Sequence, residues 1–180
     1  MTTRKSKKTP IYRHVDIGKT LDEKRAALLE NHRRSCFAVG KGEDIVTGII
    51  GESNNGTYTI PSYSGGYTLR RVKDLTGLFV MQSSQSSRHF RVEPFYEKID
   101  IGRYSNKKKR ILLQNEGLPC FAVNDEGIGI PGILGECENG TYELIYDCDE
   151  EPFVGEIKNL TELFITQDRD FYFDFIGFRL

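Results

Sequence analysis

The sequence predicts a mainly β protein with short helices, an α+β chain of two tandem small β-barrels, each preceded by a helix. Three observations predict it. First, the chain repeats itself. Sliding it by 84 residues lays Pro10–Thr59 on Pro94–Glu143 with 21 identities in 50 positions, where unrelated sequences share roughly one in fifteen or twenty. Second, each copy holds an Asn-Gly pair between apolar runs, Asn55-Gly56 and Asn139-Gly140, the strongest short-range hairpin signal. Third, glycines bracket the apolar pair in "GIIG" from Gly48 and in "GILG" from Gly132, which suits a bulge or tight bend in a small barrel.

A basic tail covers residues 1–9, and repeat unit 1 covers 10–82. Unit 1 opens with a short alternating strand in "IYRHVDIG". Thr20 then offers an N-cap with Glu23 three residues on, a capping box worth about 1 kcal/mol. Leu21, Leu28 and Leu29 fall at helical spacing and are expected to form the buried stripe. After the helix the pattern turns to β: "CFAV" at Cys36, "IVTGIIGES", the Asn-Gly turn, "TYTI" and "GLFVMQ". A polar linker, 83–93, contains "SSQSSR".

Unit 2 covers 94–170, and beyond a one-residue insertion "VKDLTGLFVMQ" from Val72 meets "IKNLTELFITQ" from Ile157. Its helix keeps Leu112 and Leu113, but Ser105 stands where unit 1 has Leu21. "SNKKKR" also sets cations at the positive end of the helix dipole. The last ten residues, 171–180, "FYFDFIGFRL", echo "FYEKIDIG" from Phe95. They read as a terminal strand or as the start of a third repeat.

With 38% hydrophobic residues and a net charge of -1, the composition is that of a soluble globular chain. No apolar run approaches the ~18–20 residues of a membrane span, and the basic start lacks the apolar segment of a secretory leader. Four cysteines without a CxxC pair then suggest reduced thiols in an intracellular protein, cytoplasmic or nuclear. The balance of charge hides an asymmetry, +7 over residues 1–89 and -8 over 90–180. Two halves so different face different partners, and their opposite charge gives a route to self-association.

Chemistry has little to work with. His14, His32 and His89 show no metal spacing with the cysteines, and Cys36 and Cys120 hold matching strand positions, as small buried hydrophobes do. "GESNNG" belongs to a hairpin rather than a phosphate loop. The acids from Asp147 to Glu151 lack EF-hand spacing. The expectation is a non-enzyme with no cofactor and no metal.

The run "CFAV…GILGECENGTYELIYDCDEEPF…IKNLTELF" resembles a Tudor domain of the SH3-like barrel superfamily, over about 45 residues per unit. The features fall on Cys120–Val123, Gly132–Glu136, Gly140–Glu150 and Ile157–Leu163. The resemblance implies that the first and third strand-connecting loops share a rim and form the ligand face. These are the stretches that differ between the copies: "GKGEDIVT" against "NDEGIGIP", and "PSYSGGYTLRR" against "IYDCDEEPFVGE", the last pair carrying +2 and -5. It implies an adaptor in chromatin or RNA-silencing assemblies that binds a basic or methylated peptide by cation–π attraction and acidic groups. The peptide-binding candidates are Tyr146, Asp147, Asp149, Glu150 and Phe153 in unit 2, with Tyr63 and Tyr67 in unit 1. Nucleic acid is the alternative partner, through Arg70, Arg71 and the run Lys107, Lys108, Lys109 and Arg110. A ligand-sequestering oligomer is a third reading.

Overall fold

A computed structural model describes residues 11–61, 67–82, 96–146 and 151–166. Unit 1 runs β1 (Tyr12–His14), α1 (Leu21–Glu30), β2 (Ser35–Gly40), β3 (Asp44–Ile49), β4 (Ser53–Asn54), β5 (Thr57–Pro61), β6 (Tyr67–Arg71), a 3-10 turn (Val72–Asp74) and β7 (Leu75–Met81). Unit 2 runs β8 (Tyr96–Ile99), α2 (Ser105–Gln114), β9 (Pro119–Asn124), β10 (Ile128–Leu134), β11 (Thr141–Ile145), β12 (Phe153–Glu156), a 3-10 turn (Ile157–Asn159) and β13 (Leu160–Ile165). The linker and the terminal segment 171–180 lie outside the described residues.

Mainly β with two short helices, as expected, the chain closes one barrel of eight strands. The ring runs β1-β7-β2-β3-β8-β13-β9-β10 and returns to β1, four strands from each unit. This differs from two self-contained barrels in tandem. Each unit's first strand sits beside its own last strand and also crosses to the other unit's hairpin. The two seams repeat one register: Tyr12 faces Gly129 and Arg13 faces Ile128, while Tyr96 faces Ile45 and Glu97 faces Asp44. The 84-residue shift converts one seam into the other, so the duplication is the internal symmetry of the barrel.

What closes the ring is burial on both faces of its strands. Along β2, Cys36 and Ala38 point into a core belonging to unit 1, while Phe37 and Val39 point into a core shared by both units. β9 repeats this, with Cys120 and Ala122 in the core of unit 2 and Phe121 and Val123 in the shared one. Small residues thus face the thin unit cores and aromatic ones fill the centre. Phe37 and Phe121 stack with centroids 4.0 Å apart and planes 9° from parallel. Tyr12 meets Phe37 edge-on at 4.7 Å, and Phe79 meets Phe121 at 5.3 Å. Each fully buried aromatic of this kind contributes about 1.5–3 kcal/mol. The packing leaves no room for a side chain at Gly129, where a Cβ would lie 2.8 Å from Phe121 Cε2.

Outside the ring each unit folds a further hairpin. Asn55 and Gly56 have φ 47° and 79°, and Asn139 and Gly140 have 49° and 83°, the paired positive φ of a type I′ turn. In unit 1 the turn joins β4 to β5, and β5 pairs with β6 in a separate three-stranded sheet. In unit 2 β11 pairs directly with the end of β10, and β12 forms the edge. The repeated glycines let these hairpins cross close to the strand before them. A Cβ at Gly51 would strike Thr59 Oγ1 and lie 2.9 Å from Pro61 Cδ.

The capping box of α1 is formed. Thr20 Oγ1 accepts from the Glu23 N–H at 3.2 Å, and Glu23 Oε2 accepts from the N–H groups of Thr20 and Lys19 at 2.8 Å each. Tyr104 makes no side-chain cap at the start of α2, in keeping with the poorer signal there. The expected buried stripe is corrected. Leu28 is buried, but Leu21 and Leu29 are 40% and 74% exposed, and in α2 Leu112 is buried while Leu113 is not. The inward ridge is instead Lys24-Ala27-Leu28-Asn31 and Lys108-Ile111-Leu112-Asn115. A lysine leads it because its ammonium has work there. Lys108 Nζ donates to the carbonyls of Leu160 at 2.6 Å and Lys158 at 3.1 Å, and Lys24 Nζ to those of Leu75 at 2.6 Å and Lys73 at 3.4 Å. Each lysine ties its helix to the carbonyls at the end of the 3-10 turn, where a cation is favoured.

Candidate functional site

The two loops that differ between the copies turn out to occupy different settings. The first lies at the seams. Glu43, at φ 61°, meets Lys98 of unit 2 at 3.5 Å, and Lys98 also holds Glu162 at 3.1 Å. Burial works to lower the Lys98 pKa, but the bond and charge of Glu162, then those of Glu43, raise it overall. In unit 2 the matching loop carries Gly127, whose carbonyl accepts from the His14 N–H at 3.0 Å. This loop therefore joins the units rather than forming an open ligand rim.

The second stretch includes β6 in unit 1 and β12 in unit 2, the strands that pair with β5 and β11. Tyr63, Asp147, Asp149 and Glu150 lie outside the described residues. Tyr146 follows β11 and is half-buried. Phe153 opens β12 opposite Leu144 and packs against the core of unit 2, so much of its ring is already occupied. Tyr67 opens β6 and is 71% exposed. Arg70 is half-buried, and the exposed Arg71 lies 2.8 Å from Asp74.

The basic run of α2 disperses. Lys107 pairs with Asp100 at 2.8 Å, and that hydrogen bond, aided by the Gly102 N–H, lowers the Asp100 pKa. Lys108 is buried in its latch. Lys109 stands within the field of the Cys137 thiol, and Arg110 is exposed. Lys108 must thus be struck from any basic surface, because its charge is spent on carbonyl groups inside the fold.

Sequence reasoning missed the outward face of these hairpins. In unit 1 an open groove of about 560 Å³ is lined by the turn after α1 (His32, Arg33), by Glu52, and by Thr59, Pro61 and Tyr67 across β5 and β6, over a floor at Ile49 and Ile50. The matching positions in unit 2 are Glu116, Gly117, Glu136, Glu143, Ile145 and Pro152. On the same face Arg71 becomes Glu156. Thus a face with two arginines and one glutamate becomes one with four glutamates, of which Glu156 is paired with Lys158 at 3.1 Å.

Two of these glutamates, Glu116 and Glu143, act on Cys137. Burial first, then Glu116 and, more weakly, Glu143, push its thiol up to about 11, with Lys109 opposing. The signal was present in the repeat alignment, but it lies in single exchanged residues rather than in a run.

Arg33 carries one further mark. Its φ is 65°, a left-handed conformation that costs an L side chain about 1–2 kcal/mol. Gly117 holds the same place at φ 80° without that cost. Among the described residues the Arg33 guanidinium has no hydrogen-bond or ion-pair partner.

Among the described residues the cysteines, Cys36, Cys120 and Cys137, are buried free thiols. Burial pushes Cys36 up to about 12 and raises Cys120 further, with the neighbouring Cys137 adding to it. Among the described residues no group of three His, Cys, Asp or Glu could hold a metal ion, and no helix is long and apolar enough to cross a membrane. The barrel centre is filled by buried aromatic and aliphatic side chains. Compared with models of known protein families, with curated proteins and with solved structures, the chain matches none.

Proposed function

We propose that the chain is a non-enzymatic protein-interaction module, an adaptor on a duplicated Tudor-like or SH3-like scaffold, whose unit 2 binds a basic or methylated peptide segment. One observation carries this reading. The copies keep the parts that hold the fold, namely the seam register, the lysine latch, the Gly-x-x-Gly crossing and the Asn-Gly turn, and exchange the outward hairpin face. In unit 2 that face carries Glu116, Glu136, Glu143 and Glu156, and in the sequence Tyr146 is followed by the acidic run from Asp147 to Glu151. Scaffold kept and surface changed is the pattern of a binding module with two specificities. The order β13-β9-β10-β11-β12, with the last strand returning beside the first, is compatible with the small-barrel resemblance. That resemblance also suggests the setting, a chromatin or small-RNA assembly.

The test is fluorescence anisotropy of the full chain with labelled Lys- and Arg-rich peptides, unmodified and methylated. Saturable binding that weakens about tenfold or more in a Glu116→Lys, Glu143→Lys double variant is expected from the loss of two charge-assisted contacts. Binding that ignores the variant refutes the site. Absence of binding to every basic and methylated peptide refutes the function.

A further inference from the structure

We infer that the groove of unit 1 is a second peptide site of opposite taste, taking an extended segment with acidic side chains that adds to the edge of β6. The argument starts from Arg33. A glycine fits its backbone, and the sister unit has one, Gly117, in the same conformation. Unit 1 nevertheless holds an arginine there, exposed and without a partner among the described residues. It stands at the mouth of a groove of about 560 Å³, with His32 beside it and Tyr67 on the opposite wall.

The second element is a strand edge. Among the described residues β6 pairs only with β5, so its other side presents main-chain donors and acceptors to an incoming strand. Tyr67 and Leu69 stand on its outward face, 71% and 58% exposed, with Arg71 next along the same face. An extended peptide laid beside β6 gains main-chain bonds from the edge and selectivity from alternate side chains. Side chains alternate along a strand, so the carboxylates of such a peptide share the face of Tyr67, Leu69 and Arg71 and would reach Arg33 and Arg71. Their methylene stems would lie over Tyr67 and Leu69, while the apolar residues between them take the opposite face.

The third element is charge contrast with the sister site. Unit 2 places Glu116, Glu143 and Glu156 where unit 1 has His32, Thr59 and Arg71, so an acidic strand would be repelled there. Nucleic acid is the less favoured occupant. Arg71 is already shared with Asp74, Glu52 lines the groove, and a phosphate backbone needs a longer track of cations than Arg33 begins.

The probe is a fluorescein-labelled octapeptide of alternating Glu and Val, amidated at its C-terminus, titrated against the full chain. An octamer of Lys and Val, a twelve-nucleotide oligouridine, and the Glu-Val peptide N-methylated at alternate residues serve as comparators. The decisive variant is Arg33→Gly, which adopts the conformation of Gly117 and should melt no lower than the parent. Binding of the Glu-Val peptide that drops about tenfold in that variant, and is lost on N-methylation, supports the site. The proposal is overturned if the Glu-Val peptide fails to bind the parent chain, or if Arg33→Gly binds it unchanged. It is equally overturned if oligouridine binds more tightly and is the ligand lost in that variant.

Discussion

Replacing Phe121 with alanine should disable both units although it alters only one. The ring stacks on Phe37 at 4.0 Å and touches Tyr12 at 6.0 Å, Phe79 at 5.3 Å and Phe164 at 6.3 Å. Three of these four partners belong to unit 1. Truncating a fully buried phenylalanine costs about 3–5 kcal/mol, and aromatic pairs add about 0.5–1.5 kcal/mol each beyond area burial. The upper end, about 5 kcal/mol, is therefore expected. A domain of this size has about 5–15 kcal/mol in all. Each seam is only two residue pairs wide, so the strand ladders cannot hold the units together without the aromatic centre.

Urea unfolding followed by amide hydrogen exchange reads this directly. The parent should unfold in a single transition with matched protection in β2 and β9. The variant should lose protection in β2 and β7 of unit 1 as well as in β9 and β13. Two separate transitions in the parent, or unchanged protection in unit 1 of the variant, would refute the shared core.

Three further outcomes are expected. Lys108→Met should destabilise the full chain by about 1.5–3 kcal/mol, the range for a hydrogen-bonded charge, and the half-buried Lys24→Met by less; equal, negligible losses in urea melts would remove the latch from the account. In a Cys148→Ser background, Cys36, Cys120 and Cys137 should resist a thiol-reactive disulfide reagent until the chain unfolds, since burial withholds both access and thiolate; rapid labelling under native conditions would contradict this. The Thr20 N–H, then that of Lys19, hold the Glu23 pKa below its ordinary 4.5. A depressed carboxylate stabilises above the unfolded value and loses that contribution as pH falls through the folded one. Glu23→Gln should therefore melt below the parent at pH 7, with the gap closing as the pH drops beneath about 4.5.

Much of the local structure was legible because its causes are local. The Asn-Gly turns, the capping box and the alternating "CFAV" strands need only neighbours in sequence. Closure of the barrel was not legible, because "IYRH" announces a strand without saying which strand it meets. Both faces of β2 and β9 are apolar, which signals double burial, but nothing in the pattern says that the second core is shared. The helix stripe was misread for a related reason. Leucine was assumed to point inward, whereas Lys24 and Lys108 take the inward ridge to reach carbonyls some fifty residues away. The groove of unit 1 was visible only as exchanges such as Arg33 for Gly117. These gain weight once the structure shows that both residues share one left-handed conformation.

The central claim is that one scaffold carries two surfaces of different specificity, and nitrogen-15 chemical-shift mapping of the full chain tests it most directly. The chain would be titrated separately with a basic methylated peptide and with the Glu-Val octapeptide. The account predicts that the basic peptide moves the amides of Glu116, Glu136, Glu143 and Tyr146, and that the acidic one moves those of His32, Arg33, Thr59 and Tyr67. If both peptides shift the same unit, or if neither shifts these residues, the duplicated faces are not two binding sites and the account fails.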